Sequence, residues 1–263
     1  MHFIEYGTDI DPLFKVRPVL DKVGANCLKV EPDEKHAVTE QMIPFKGRYG
    51  MKQYIKNKPH KWGIKVFTRA DVFGIVYDFE IYTGKGTVTN ERGLGIGGEV
   101  ALRLMREIPK GMNYNCFFDK CFTSPELLAE LKQMGILAVA AVGRNCLRCC
   151  VLKSDNELAK CGPGSHEVKY ETNTGLSVVQ WFDSRAVLLC STYVGVDPVD
   201  KCQRWSKQKK SFLKWTDHTL SRSTIATWVG GFIRYAYVFL WCSHSSRMLV
   251  PQHSVLPNRP FCD

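Results

Sequence analysis

The chain of 263 residues is 44% hydrophobic and 24% charged, with a net charge of +10, which excludes a disordered chain and leaves room for one large core. The cations are clustered: seven Lys or Arg stand between Lys46 and Lys65 with no acid among them, and six between Lys201 and Lys214. Such clusters, with aromatics interleaved, favour a polyanionic partner, either nucleic acid or an anionic membrane surface.

The opening MHFIEYGTDIDPLF places acids where a secretory leader has its apolar stretch, so the eleven cysteines are expected as free thiols in a cytosolic or nuclear compartment. Leu13, Phe14, Val16, Val19, Leu20 and Val23 recur at helical intervals and predict a helix over 11–23. EKHAVTEQMI, GIKVFTRA and FGIVYDFEIY read as three strands of an antiparallel meander, the last two joined by a turn at Asp71. GGEVALRLMREIPKG predicts a helix that buries Val100, Leu102, Leu104, Met105 and Ile108 and is closed by Pro109. NYNCFFD is a short strand ending in Asp119. In TSPELLAELKQMG, Ser124 caps a helix with Pro125 at its first position and Gly135 at its end. ILAVAAVG is an unbroken apolar strand of the kind buried on both faces. Three strands, helix, strand, helix, strand is an α/β layout with a mixed sheet and flanking helices, the order of ribonuclease H-like nuclease and integrase cores. Beyond Cys146, HEVKYE, LSVVQWFD and AVLLCSTYV read as a β-rich insertion. The apolar run from Ile225 to Cys242 has the length of a membrane span, but Arg234 and the pair Gly230 and Gly231 argue against one.

GLGIGGEV satisfies G-x-G-x-x-G at Gly93, Gly95 and Gly98, yet polar TGKGTVTNER precedes it where a dinucleotide site needs a hydrophobic strand. It reads as a flexible turn into a helix. Cys146, Cys149, Cys161 and His166 are zinc-ligand types, but their spacing is unremarkable and Cys150 intrudes, so they read as reduced thiols. Asp119 closes an apolar strand, where α/β sheets expose functional groups to a cleft; the plainer alternative is an Asp that caps the turn. A metal-dependent nuclease needs further carboxylates, converging on two cations about 4 Å apart. Lys46, Arg48, Lys52, Lys56, Lys58, Lys61 and Lys65, interleaved with Tyr49, Tyr54 and Trp62, are candidate nucleic-acid contacts, cations for phosphates and rings for bases. The alternative for them is a solvated face.

TEQMIPFKGRYGMKQYIKNKPHKWGIKVFTRADVFGIVYDFEIYTGKGT, YNCFFDKCFTSPELLAELKQMGILA and RWSKQKK resemble the transposase domain of piggyBac elements and of host proteins derived from them, over about 17–214. The resemblance implies a ribonuclease H-like core with a β-rich insertion and three aspartates that hold two Mg²⁺ ions. It implies hydrolytic nicking at a transposon end, then strand transfer into TTAA targets. On this reading 1–33 is a helical lead-in, 34–145 the core, 146–214 the insertion region and 215–263 a divergent tail. Asp119 matches the second aspartate, with Lys120 where the family has asparagine. Thr39 stands where the first is expected, and a neutral hydroxyl cannot supply the charge that draws Mg²⁺ into place. Glu40 is adjacent but should face the other side of its strand. The third aspartate belongs to a Gly-Gly-Val-Asp motif; VGVDPVD mimics it, but its flanks match the segment ahead of that motif, which makes Asp197 and Asp200 poor substitutes. The chain is therefore expected to be a truncated or domesticated transposase fragment, nuclear and DNA-binding, without strand-transfer activity. Asp119 is its one weak metal ligand, with no cofactor as it stands and no membrane partner. Two rival readings are a working nuclease that reassembles a site from Glu40, Asp119 and Asp197 or Asp200, and a non-enzymatic interaction protein or a product without function.

Overall fold

A computed structural model describes residues 11–218 apart from 57, 148–149, 183–184, 198 and 207–209; the apolar run at 225–242 lies outside them. Strand β1 (Lys35–Pro44) takes partners on both sides. On one side it pairs antiparallel with β3 (Trp62–Asp71), from His36↔Asp71 to Pro44↔Gly63. β3 also pairs with the short β2 (Gln53–Tyr54) and with β4 (Val76–Ile81). On its other side β1 runs parallel to β5 (Asn115–Phe118), which runs parallel to β6 (Leu137–Ala141). Parallel neighbours need crossovers. Helix α2 (Gly95–Met105) precedes β5, and α3 (Pro125–Gln133) joins β5 to β6. The sequence order of the expected core is thus realised as a mixed sheet with flanking helices.

The β-rich stretch that follows widens this sheet. β9 (Ala186–Ser191) pairs antiparallel with β6, β8 (Ser177–Phe182) with β9, and β7 (His166–Tyr170) with β8. β10 (Val199–Ser206) and β11 (Ser211–His218) pair separately, as a hairpin. One face of the main sheet carries α2 and α3, which close a core around Val38, Phe67, Leu104, Phe118, Leu127 and Leu128. Ser124 Oγ accepts the Leu127 amide and so caps α3, while Arg103 ties α2 to β4 through Asp78 at 2.7 Å and Glu80 at 2.8 Å. The opposite face buries a smaller set that includes Ala37, Phe117, Val139 and Leu189.

Three elements depart from the periodic reading. α1 is Arg17–Cys27 rather than 11–23. Asp11 accepts the Leu13 amide and pairs with Arg17 at 2.8 Å, which holds the preceding residues in turns, and Pro18 is tolerated only in a first helical turn. α2 ends at Met105, short of Pro109, although Ile108 still packs in the core. A helix α4 (Asp155–Cys161) lies in the stretch read as β segments alone. Ser154 and Glu157 form a reciprocal capping box there, a signal that S-D-N-E carries in plain view.

His36 on β1 is fully buried at 0% exposure, 5.1 Å from the Tyr77 ring and 5.6 Å from the Tyr114 ring. Burial first, and the Arg69 guanidinium second, push its pKa down to about 4 from 6.5. Between those values the unfolded chain binds a proton that the folded chain refuses, so stability falls as pH drops through that window. The expected loss reaches about 3 kcal/mol near the lower end. Urea unfolding midpoints at pH 7 and pH 4.5 should show it, and His36→Phe should flatten that part of the pH dependence.

Candidate active site and nucleic-acid interface

The β1–β5 register ends at Val38↔Phe118. Thr39 and Asp119 are the next residue on each, and neighbouring strands lie about 4.8 Å apart. Alternation places both on the face of Ala37 and Phe117. The first two ligand positions implied by the resemblance therefore fall side by side where β5 ends against the middle of β1. Asp119 is half-buried. Its Oδ1 accepts the Lys120 amide at 2.7 Å, and its carbonyl accepts the Phe122 amide and the Thr123 hydroxyl. These bonds shape a tight loop into α3 and leave the second carboxylate oxygen to the cleft. Lys120 is exposed. Thr39 is 9% exposed, and its Oγ1 is buried without a hydrogen-bond partner among the described residues.

This donor set does not fit a pair of Mg²⁺ ions. Thr39 offers a neutral hydroxyl, Asp119 one carboxylate, and among the described residues no group of three or more His, Cys, Asp or Glu side chains could hold a metal. Asp197 is exposed, and the side chain of Asp200 lies outside the described residues, as does Cys149. Glu40 faces the side of Val38 and Phe67, away from Thr39. There it meets Lys65 at 2.7 Å and Lys58 at 3.5 Å. Burial would raise the Glu40 pKa, but Lys65 and then Lys58 hold the carboxyl below its ordinary value.

That pairing reorganises the basic stretch. Lys58 and Lys65, which look unopposed along the chain, are offset by an acid delivered from β1. Lys46, Arg48, Lys56 and Lys61 are exposed. Lys52 Nζ lies 5.3 Å from the Trp62 ring centre, and Tyr54 and Trp62, paired across β2 and β3, have ring centres 4.8 Å apart. Both rings are half exposed, 50% and 55%. Trp62 shares its face of β3 with Thr68, the partner of Thr39, six residues and about 20 Å further along the strand. The aromatic pair and Asp119 thus belong to one side of the sheet. Lys52 joins the two rings there, while Lys58 and Lys65 meet Glu40 on the reverse side.

Gly97 is a residue that pattern reading passed over. A Cβ at this position would run into the Cys121 carbonyl, so its lack of a side chain lets the first turn of α2 pack on the Asp119 loop. The G-x-G-x-x-G pattern drew attention to its neighbours instead.

An antiparallel unit continued by two parallel strands, with helices over one face and two paired positions where the parallel pairing ends, is the ribonuclease H-like core of DDE-type transposases. The piggyBac transposase synaptic complex with hairpin DNA, solved by cryo-EM, superposes with a TM-score of 0.63 at 22% identity, over 89% of this chain and 45% of that one. The sequence profile of the Transposase IS4 family matches residues 2–225. The chain belongs to that family, in its piggyBac type. Human piggyBac transposable element-derived proteins 3 and 2 are 30% and 31% identical to it over 204 residues, 76% of this chain and 34% of each of theirs. The chain spans about a third of the length of these curated relatives.

Gly97→Ala should destabilise the fold. The substitution gains about 1 kcal/mol of helix propensity, but the clash is with backbone, which cannot rotate away, and overpacking of this kind costs about 1–3 kcal/mol. A lowered thermal midpoint with increased protease cutting in the 119–123 loop is the expected outcome.

Proposed function

We propose that this chain is a transposase-derived DNA-binding core that neither nicks nor joins strands. The observation that carries the reading is Thr39 beside Asp119. One carboxylate cannot hold two divalent ions or order the in-line geometry of phosphoryl transfer. The DNA-binding half of the proposal rests on the exposed cations Lys46, Arg48, Lys56 and Lys61 of this stretch, on the exposed Tyr54–Trp62 pair with Lys52 beside it, and on a structural relative described as a complex with hairpin DNA. Such a surface follows phosphates with little sequence preference. A DNA partner supports a nuclear location as part of the same proposal.

The catalytic half is tested with supercoiled plasmid and end-labelled oligonucleotides in Mg²⁺ and Mn²⁺. No cleavage is expected. Cleavage by the unmodified chain that is lost in Asp119→Ala would overturn the proposal. Thr39→Asp buries a second carboxylate beside Asp119, and should lower metal-free stability by about 1–3 kcal/mol. Mn²⁺ should recover part of that loss as a rise in thermal midpoint, still without strand cleavage.

The binding half is tested by salt dependence. Affinity for duplex DNA should fall steeply between 50 and 200 mM salt (on the order of tenfold or more). The Lys46→Glu, Lys56→Glu, Lys61→Glu triple variant should flatten that slope. Lys65→Gln should leave the slope nearly unchanged, because Glu40 already occupies that charge. A triple variant that binds as tightly as the parent would sink the assignment of this surface.

A further inference from the structure

On the reverse side of the β2–β3 ribbon a cavity of about 290 Å³ opens between the sheet, the first turn of α2 and the Asp119 loop. We infer that this cavity receives a single unpaired nucleobase of bound DNA, an inference that rests on the DNA-binding reading above. Its volume lies near the lower limit for ligand pockets, about 300 Å³, and suits one ring system rather than a whole nucleotide.

The lining has the character such a guest requires. Phe67 and Tyr82 form an aromatic corner, their ring centres 6.1 Å apart, and Ile96 adds an apolar surface. Bases taken out of a stack are held against aromatic and apolar side chains and read through their polar edges. Lys65 Nζ, fixed by Glu40, lies 4.8 Å from the Phe67 ring centre and 5.6 Å from that of Tyr82, so a cation stands at the aromatic corner. Gln53 supplies an edge-reading group. Its Nε2 donates to the Met51 and Lys52 carbonyls, which orients the carboxamide. Ile96 and Gly97, in the first turn of α2, line the cavity, so the positive end of that helix's dipole lies close by and complements electron-rich base edges and phosphate oxygens alike.

Position also favours a base over a free small molecule. Gln53 and Ile55 belong to the basic stretch, and Lys52 and Lys56 flank them in sequence. Cys121, at the floor, is two residues from Asp119. β2 is the edge strand at this end of the sheet, so a base would reach the cavity around that edge from the face that carries Trp62.

The test compares a duplex carrying one bulged 2-aminopurine with the same duplex fully paired, both titrated against the full chain at fixed salt. The bulged duplex should bind about tenfold tighter, with a change in 2-aminopurine fluorescence on binding. Tyr82→Ala, which removes one ring, and Gln53→Leu, which removes the edge-reading amide without a change of charge, should each abolish the preference and leave paired-duplex affinity unchanged. Equal binding of both duplexes overturns the inference and leaves the DNA-binding proposal standing. No binding to either overturns both. A preference that survives both variants but is lost in Trp62→Ala moves the base to the outer aromatic pair and also overturns it. So does dAMP alone binding as tightly as the bulged duplex, which would make the cavity a mononucleotide site.

Discussion

The fold depends on β1 being paired along both edges at once, antiparallel to β3 and parallel to β5. A strand held this way has no freedom of register. A slip of one residue would move Val38 out of the helix-covered core and Ala37 into it. It would also separate Thr39 from Asp119 and turn Glu40 away from Lys58 and Lys65. The core, the paired positions Thr39 and Asp119 and the charge balance of the basic stretch are therefore one constraint seen from three sides. α2 and α3 enforce it by covering one face, and Arg103 fixes α2 to the outer strand β4.

What the sequence made legible follows from the range of the interactions involved. Strands β1, β3, β4, β5 and β6 and the capped helix α3 have local signatures, β-branched runs and Ser124–Pro125, and they appear where those signatures lie. α1 escaped because its apolar spacing begins inside a turn that Asp11 and Arg17 close, a side-chain pairing that periodicity does not register. α4 escaped although its capping box was visible, because the surrounding alternation pointed to strands. The two-residue β2 is too short to have any pattern of its own.

Site residues divide along the same line. That Thr39 and Asp119 would be neighbours follows from resemblance, and the parallel register puts them side by side. The pairing of Glu40 with Lys58 and Lys65 is long-range, and no spacing along the chain announces it. A count of unopposed cations between Lys46 and Lys65 consequently overstates the charge that this stretch turns outward. Gly97 was hidden for a related reason. Its meaning lies in the Cys121 carbonyl on another loop, whereas of the glycines that matched a motif Gly93 and Gly95 face open space and Gly98 meets only Leu94, four residues back in the chain.

The extension of the sheet through β9, β8 and β7 leaves β7 as its last strand. A broad sheet with an open margin is a template for the next chain, and unguarded margins polymerise. β7 is His166–Tyr170 and carries Glu167 and Lys169 within five residues, joined to each other at 3.3 Å. An incoming strand would have to bring its own side chains against both charges and desolvate them in part. Among the described residues, the wide scaffold thus ends in a charged margin that disfavours templated addition of a further strand.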